Sequence, residues 1–209
     1  MSLFITLEGP EGSGKTSAIK IVKEALENEG YQIVMTREPG GTPISEQIRN
    51  VILDKNNTAM DYRTEALLYA ASRRQHLVEK VIPALEKGYI VICDRFVDSS
   101  LAYQGHARNL GIEEIYDINM FAINGMWPDI TILLDIEPEV GLARIMKNRQ
   151  EEVNRLDLEG LSFHNLVHEG YQIIKEKYAN RITLVDGNKG FDEVFDEVYG
   201  LIKNKLNED

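Results

Sequence analysis

The stretch GPEGSGKT at positions 9 to 16 fits the pattern G-x-x-x-x-G-K-[ST], and it follows the apolar run Leu3, Phe4, Ile5, Thr6, Leu7. A strand that ends in a glycine-rich loop and opens a helix aims backbone N–H groups and the positive end of that helix at one point. Polyphosphate can sit there. The junction demands a sheet on one side and a helix on the other, so the rest of the chain must supply both.

It does. Apolar runs near 3–7, 32–36, 89–93, 130–135 and 182–185 have strand length, are rich in Ile, Val and Leu, and lack strict alternation, which predicts strands buried on both faces. Helical stretches lie between them, at about 15–28, 43–54, 62–87, 112–124, 138–149, 160–178 and 191–206. The alternation predicts an α/β fold of three layers, a five-stranded, mostly parallel sheet with helices on both faces. Thr42 before Pro43 suits a helix start, as does Pro138; Gly30 and Gly88 suit helix ends, and Pro83 is placed to kink the third helix. In such sheets ligands bind beyond the carboxyl ends of strands, where GPEGSGKT, TREPGGT and DRFVDSS follow the first three.

At 209 residues, with no Pro/Ser-rich linker, repeat or low-complexity tract, one domain is expected. Cys93, the single cysteine, lies in an apolar run and reads as a buried small residue, which suits a reducing, cytoplasmic setting. No apolar run approaches membrane-spanning length, and no export signal opens the chain. The net charge of −11 argues against a nucleic-acid partner, whose binding draws on neutralised phosphates. A mononucleotide is compatible with it, because distant carboxylates are screened over roughly 8 Å at physiological salt. The four histidines show no metal-ligand spacing, so Mg²⁺ arriving with ATP is the only metal expected.

GPEGSGKT, TREPGGT (36–42), RTEALLYAASRRQHL (63–77), DRFVDSSLAYQG (94–105) and NRLD (154–157) together resemble the bacterial thymidylate kinases, in order and over essentially the whole chain. The resemblance implies a P-loop fold of the nucleoside-monophosphate-kinase type. It further implies γ-phosphoryl transfer from ATP to dTMP with Mg²⁺, and a homodimer.

Phosphoryl transfer needs positioning and charge stabilisation more than covalent help. Gly9, Pro10, Glu11, Gly12, Ser13, Gly14, Lys15 and Thr16 form the ATP loop: the amides of residues 12–16 hold the β-phosphate, Lys15 reaches β- and γ-oxygens, and the Thr16 hydroxyl faces Mg²⁺. The acceptor phosphate is largely dianionic near neutral pH, so no general base is nominated. Arg49 and Arg95 match family arginines that hold this phosphate, with a solvated helix face as the alternative for Arg49 and a structural ion pair for Arg95; Arg37, which also follows a strand, is a further candidate. Asp94 has two readings, a carboxylate holding Mg²⁺ through water or the partner of a nearby arginine.

The family's base pocket maps onto Tyr69 stacking on thymine, Arg73 donating to a thymine carbonyl and Gln104 meeting the remaining polar edge. Plain helix core is the alternative for Tyr69, while Arg74 points about 100° away from Arg73 and reads as structural. Tyr103 matches the residue that excludes a 2′-hydroxyl, Glu11 the carboxylate that accepts from the 3′-hydroxyl, and Ser100 is the serine of the DSS segment that faces the base. Arg144 matches a residue that packs on adenine, with packing at the core edge as its alternative.

Family members draw a transition-state arginine from the phosphate loop or from a mobile lid. The loop here has Glu11 and no arginine, whereas the lid segment, about 147–157 (KNRQEEVNRLD), holds Lys147, Arg149 and Arg155. Arg149 is the leading candidate and Arg155 the second; solvated loop charges are the alternative. Two other functions compete. One is a P-loop kinase for a different small acceptor, and the other is a nucleotide-dependent switch, whose N-K-x-D motif fails here because Asp192 falls one position late after Asn188 and Lys189.

Overall fold

The computed structural model describes residues 2–148, 155–156 and 159–208. Five strands form one parallel sheet: β1 (Leu3–Glu8), β2 (Ile33–Arg37), β3 (Ile90–Asp94), β4 (Ile130–Asp135) and β5 (Ile182–Asp186), in the order β2-β3-β1-β4-β5. β1 pairs with β3 from Leu3 opposite Ile90 and with β4 from Ile5 opposite Ile130. The carboxyl ends of β1, β2 and β3 therefore lie side by side, which brings the three motifs that follow them into one crevice.

Helices cover both faces: α1 (Lys15–Asn28), α2 (Pro43–Leu53), α3 (Tyr62–His76), α4 (Ile82–Glu86), α5 (Val97–Ser100), α6 (Ile112–Ile123), α7 (Pro138–Asn148), α8 (Leu161–Lys177) and α9 (Phe191–Asn207). On one face Leu3, Ile5 and Leu7 of β1 pack with Ile90, Ile92, Ile132 and Leu134 against Ala18, Ile19, Val22 and Leu26 of α1 and Val194, Val198 and Ile202 of α9. On the other face Phe4, Val91, Cys93 and Leu133 meet Leu77, Val81, Phe96, Leu101, Ile123 and Tyr171. Each fully buried Leu, Ile or Phe contributes roughly 1.5–3 kcal/mol relative to exposure. Cys93 is buried as expected. Among the described residues no helix is long and apolar enough to cross a membrane.

Three expectations need correction. The strands are not all buried on both faces: β2 exposes Met35 and Arg37, and β5 exposes Leu184, because these two are edge strands with a neighbour on one side only. The third helix is not uniform, since a π-helical turn at Leu77–Val81 separates α3 from α4. Pro83 lacks an N–H and its ring crowds the carbonyl four residues back, so a widened turn just before it relieves the clash.

Residues 97–107 are helical where no helix is expected, as α5 running into a π-helical segment at Leu101–Ala107. Ser and Asp disfavour helix interiors, and tertiary bonds override that preference here. Asp98 takes a bidentate pair of 2.7 Å bonds from Arg181, and Ser99 donates to Glu8 at 2.5 Å. Gly170 of α8 lies so close that a Cβ on it would stand 3.1 Å from the Cα and O of Ala102.

Candidate active site

The phosphate loop is shaped by glycines that nothing larger can replace. Gly12 has φ +74°, and a Cβ there would fall 2.2 Å from the carbonyl oxygen of Gly141 in α7. Gly14, at φ 90°, turns the chain into α1. Inside the loop Lys15 Nζ donates to the carbonyls of Gly9 and Pro10, each at 2.9 Å, and to Ser13 Oγ at 3.1 Å. Burial depresses the Lys15 ammonium to a pKa of about 8, and the Arg95 charge adds to the effect.

A cavity of about 750 Å³ opens in front of this loop. It is lined by residues 11–17 of the loop and α1, by Arg37, Arg49 and Arg95, by Tyr69, Arg73, Ser100, Tyr103 and Gln104, and by Asp94 and Arg144. Gly9 and Pro10 sit behind the lining and serve it through their carbonyls.

Thr16 Oγ1 donates to Asp94 Oδ2 at 2.7 Å. Of the two readings of Asp94, no ion pair within 4 Å to an arginine is seen among the described residues, although its charge is felt by Arg95. Its carboxylate and the Thr16 hydroxyl instead form a pair of hard oxygen donors at the cavity wall, which fits Mg²⁺.

Arg95 follows β3 with φ 71°, a left-handed conformation that is costly for a residue with a Cβ. Its backbone N–H is tied to Leu7 O at 2.9 Å, and its guanidinium reaches Gly9 O at 3.0 Å, Ser99 Oγ at 3.1 Å, Tyr171 at 3.2 Å and Glu11 Oε1 at 2.7 Å. It also lies over the Tyr103 ring, 5.2 Å from the centroid. Burial opposes the Glu11 carboxylate charge, but the Arg95 and Lys15 cations outweigh it and hold its pKa low. Glu11 is thus charged beside the loop, and Tyr103 donates to it at 3.3 Å.

Arg49 Nη1 donates to Pro39 O at 2.9 Å and Arg37 Nη1 to the same oxygen at 3.1 Å. Burial and the nearby Arg37 charge both lower the pKa of Arg49. Two cations converging on one carbonyl repel each other, and an anion between them would relieve that repulsion.

Arg73 is buried and extensively bonded. Nε donates to Glu38 at 2.7 Å, Nη1 to Ser100 Oγ at 3.1 Å and to Asn119, and Nη2 to Phe96 O at 2.8 Å. Four of the five donors that an arginine carries are spent, which leaves one N–H of Nη2 for a ligand. Behind it His76 Nδ1 lies 2.9 Å from Glu38 and Nε2 lies 2.7 Å from Thr36 Oγ1, so buried Glu38, itself held by His76, braces Arg73.

Tyr69 is half-buried at the wall, its hydroxyl pKa pushed up by burial and by the Glu65 charge. Arg74 is exposed, as a structural role permits. Arg144 donates to Gly187 O at 3.3 Å and to Gly12 O at 3.5 Å.

Arg155 is held elsewhere than expected. It is buried, with Nε donating to Ile52 O at 2.9 Å and Nη2 to Glu65, and it does not line the cavity. A guanidinium committed to a buried carboxylate cannot also reach the phosphates from that position. Arg149, like residues 150–154 and 157, lies outside the described residues, as does the Lys147 side chain.

Sequence reasoning missed Glu38 and the wall made by Gly187, Lys189 and Phe191. The signal for that wall was present, since DGNKG follows β5 as the other motifs follow their strands.

The thymidylate kinase family model matches residues 7–198. The thymidylate kinase of Clostridium novyi is 62% identical over 200 residues, covering 96% of this chain and 98% of that protein. That of Halalkalibacterium halodurans is 57% identical over 203 residues, with 97% of each covered. The crystal structure of thymidylate kinase from Ehrlichia chaffeensis matches with a TM-score of 0.77 at 33% identity, over 97% of this chain and 98% of that one. With a phosphate loop, three arginines and an aromatic-walled pocket meeting in one crevice, and with relatives matching from end to end, the chain belongs to the thymidylate kinase family.

Proposed function

We propose that this chain phosphorylates dTMP to dTDP with the γ-phosphate of ATP, the two nucleotides entering the cavity from opposite ends with their phosphates meeting between Lys15 and Arg95. The convergence of the loop, three arginines and the Tyr69–Arg73–Gln104 wall on a single cavity carries the reading. ATP lies with its phosphates on residues 9–16 and its adenine near Arg144. The acceptor phosphate lies among Arg37, Arg49 and Arg95, its sugar over Tyr103 and Glu11, and its base against Tyr69, Arg73, Ser100 and Gln104.

The acceptor is an anion approaching an anion, so the arginines offset repulsion in a site that excludes water. Thr16 and Asp94 would hold Mg²⁺, which when bound neutralises charge on the β- and γ-oxygens. The acceptor dianion is its own nucleophile, which removes the need for a base.

Coupled ADP-release assays with dTMP, dUMP, CMP and AMP test the assignment. Turnover with dTMP far above CMP and AMP is expected, and equal rates across the panel would sink the base pocket.

The lid at about 147–157, part of a single domain of 209 residues, brings the transition-state arginine. With Arg155 paired to Glu65, that role goes to Arg149. Arg149→Ala should lower kcat much more than it raises either KM, as for a contact made chiefly in the transition state. An unchanged kcat would remove Arg149 from the mechanism.

The enzyme works in the cytoplasm as a homodimer. Support for a second copy comes from exposed apolar side chains on two helices that pack together, Phe121 of α6, 92% exposed, and Leu67 of α3.

A further inference from the structure

Glu65 is a fully buried carboxylate on α3 to which the reaction assigns no role. Its Oε1 accepts from Gln104 Nε2 at 2.8 Å and lies 3.6 Å from Arg108 Nε, while Oε2 accepts from Arg155 Nη2. Arg108 in turn reaches Glu159 at 2.5 Å, its guanidinium carbon 4.5 Å from the Tyr62 ring centroid and 4.4 Å from that of Phe163. Burying a carboxylate is costly even when it is paired, and an apolar residue often serves stability equally well.

The charge does something that an apolar residue cannot. An ionised carboxylate has acceptors and no donors, so a side-chain amide hydrogen-bonded to it must present its NH₂ end. Gln104 also lines the cavity. With Nε2 drawn to Glu65, the amide is held with its oxygen on the side away from the carboxylate, and an amide oxygen recognises a ring N–H. The last free donor of Arg73 suits an adjacent carbonyl. A neutral amide at position 65 would not impose this choice, because it could face Gln104 with either end.

We propose that Glu65 is a positioning residue for acceptor selection: it locks the Gln104 amide with its oxygen toward the base, so that the pocket accepts a base carrying a ring N–H beside a carbonyl and disfavours one carrying a bare ring nitrogen. The inference rests on the dTMP reading above and adds the group that orients the pocket.

The decisive variant is Glu65→Gln. It should raise the KM for dTMP about tenfold, the worth of one well-placed hydrogen bond, while kcat and the KM for ATP change far less. Gln104→Ala should also raise the KM for dTMP, and Glu65→Gln/Gln104→Ala should be no worse than Gln104→Ala, because the effect passes through the amide.

If Glu65→Gln fails to fold with its arginines unpaired, Glu65→Met/Arg155→Met removes the pair together and should show the same rise. A folded Glu65→Gln, or failing that a folded Glu65→Met/Arg155→Met, with the KM for dTMP within twofold of the parent overturns the inference, as do single-variant factors that multiply in the double variant. A parent that does not phosphorylate dTMP, or a Gln104→Ala variant with unchanged KM, overturns the acceptor assignment and this inference with it. A sound parent and a defective Gln104→Ala beside an unaffected Glu65→Gln overturn this inference alone.

Discussion

Arg95→Ala should lower kcat by roughly 10²- to 10³-fold, the range for removing one preorganised donor from a charged transition state. Arg95 links the phosphate loop to the arginines proposed for the acceptor. Its guanidinium touches Gly9 O of the phosphate loop at 3.0 Å, and Arg49 and Arg37 line the acceptor end of the same cavity. The left-handed backbone at φ 71° is held by the bond from its N–H to Leu7 O, so the side chain is aimed before any substrate arrives.

A second layer fixes that aim. Buried Glu8 accepts from Phe96 N at 2.7 Å and from Tyr171 at 3.1 Å, and Arg181 clamps Asp98, so the turn carrying Arg95 is tied down on both sides. Arg95→Lys should recover little, since an ammonium cannot reproduce a fork that serves Glu11 and Ser99 at once.

The substitution also takes from Glu11 its strongest cationic partner and leaves Lys15 to compensate the carboxylate beside the phosphate loop, so the KM for ATP should rise as well. Adding Glu11→Gln should restore the KM for ATP and leave kcat low. Steady-state kinetics separate the two effects, and a kcat for Arg95→Ala within about threefold of the parent would end its assignment to the transition state.

Most of this arrangement was legible because its parts follow strands. The register of β1, β2 and β3 makes neighbours of Lys15, Arg37 and Arg95, which lie far apart in the chain but close to the same sheet edge. The helix at 97–107 was not legible, because it opens on Val97, Asp98, Ser99 and Ser100 and carries Gly105, all weak helix formers, and its bonds to Glu8 and Arg181 are long-range.

The partner of Arg155 was hidden for the same reason. Charge patterning says that a lid arginine is available, whereas only the fold says that Glu65 has claimed it. Glu38 was overlooked inside TREPGGT because the Arg73 it braces is on another element. Spacing rules find groups that meet a ligand at strand ends, and they do not find the layer that orients those groups.

Lys15→Met should abolish measurable phosphoryl transfer while leaving the melting temperature of the free protein within about 3 °C of the parent's. The loss of activity follows from removing the only cation inside the loop. The small stability effect follows from the pKa. A lysine lowered from 10.5 to about 8 keeps its proton less well folded than unfolded, so its charge opposes folding. That penalty is fully present below pH 8 and is relieved as the pH rises from about 8 towards 10.5, where the unfolded chain binds the extra proton. Losing the penalty offsets the loss of bonds to Gly9 O, Pro10 O and Ser13.

The same sign governs nucleotide binding. Phosphates favour the ammonium, so ATP raises the Lys15 pKa, and the apparent affinity for ATP should be flat below about pH 7.5 and weaken through pH 8–9. Binding near pH 8 should take up part of a proton, visible by calorimetry in buffers of different ionisation enthalpy, and Lys15→Met should lose that uptake. A parent enzyme with no uptake at pH 8 and a constant KM for ATP to pH 9 would mean that the loop holds its lysine fully charged. The offset between penalty and bonds would then vanish, and Lys15→Met should melt well below the parent.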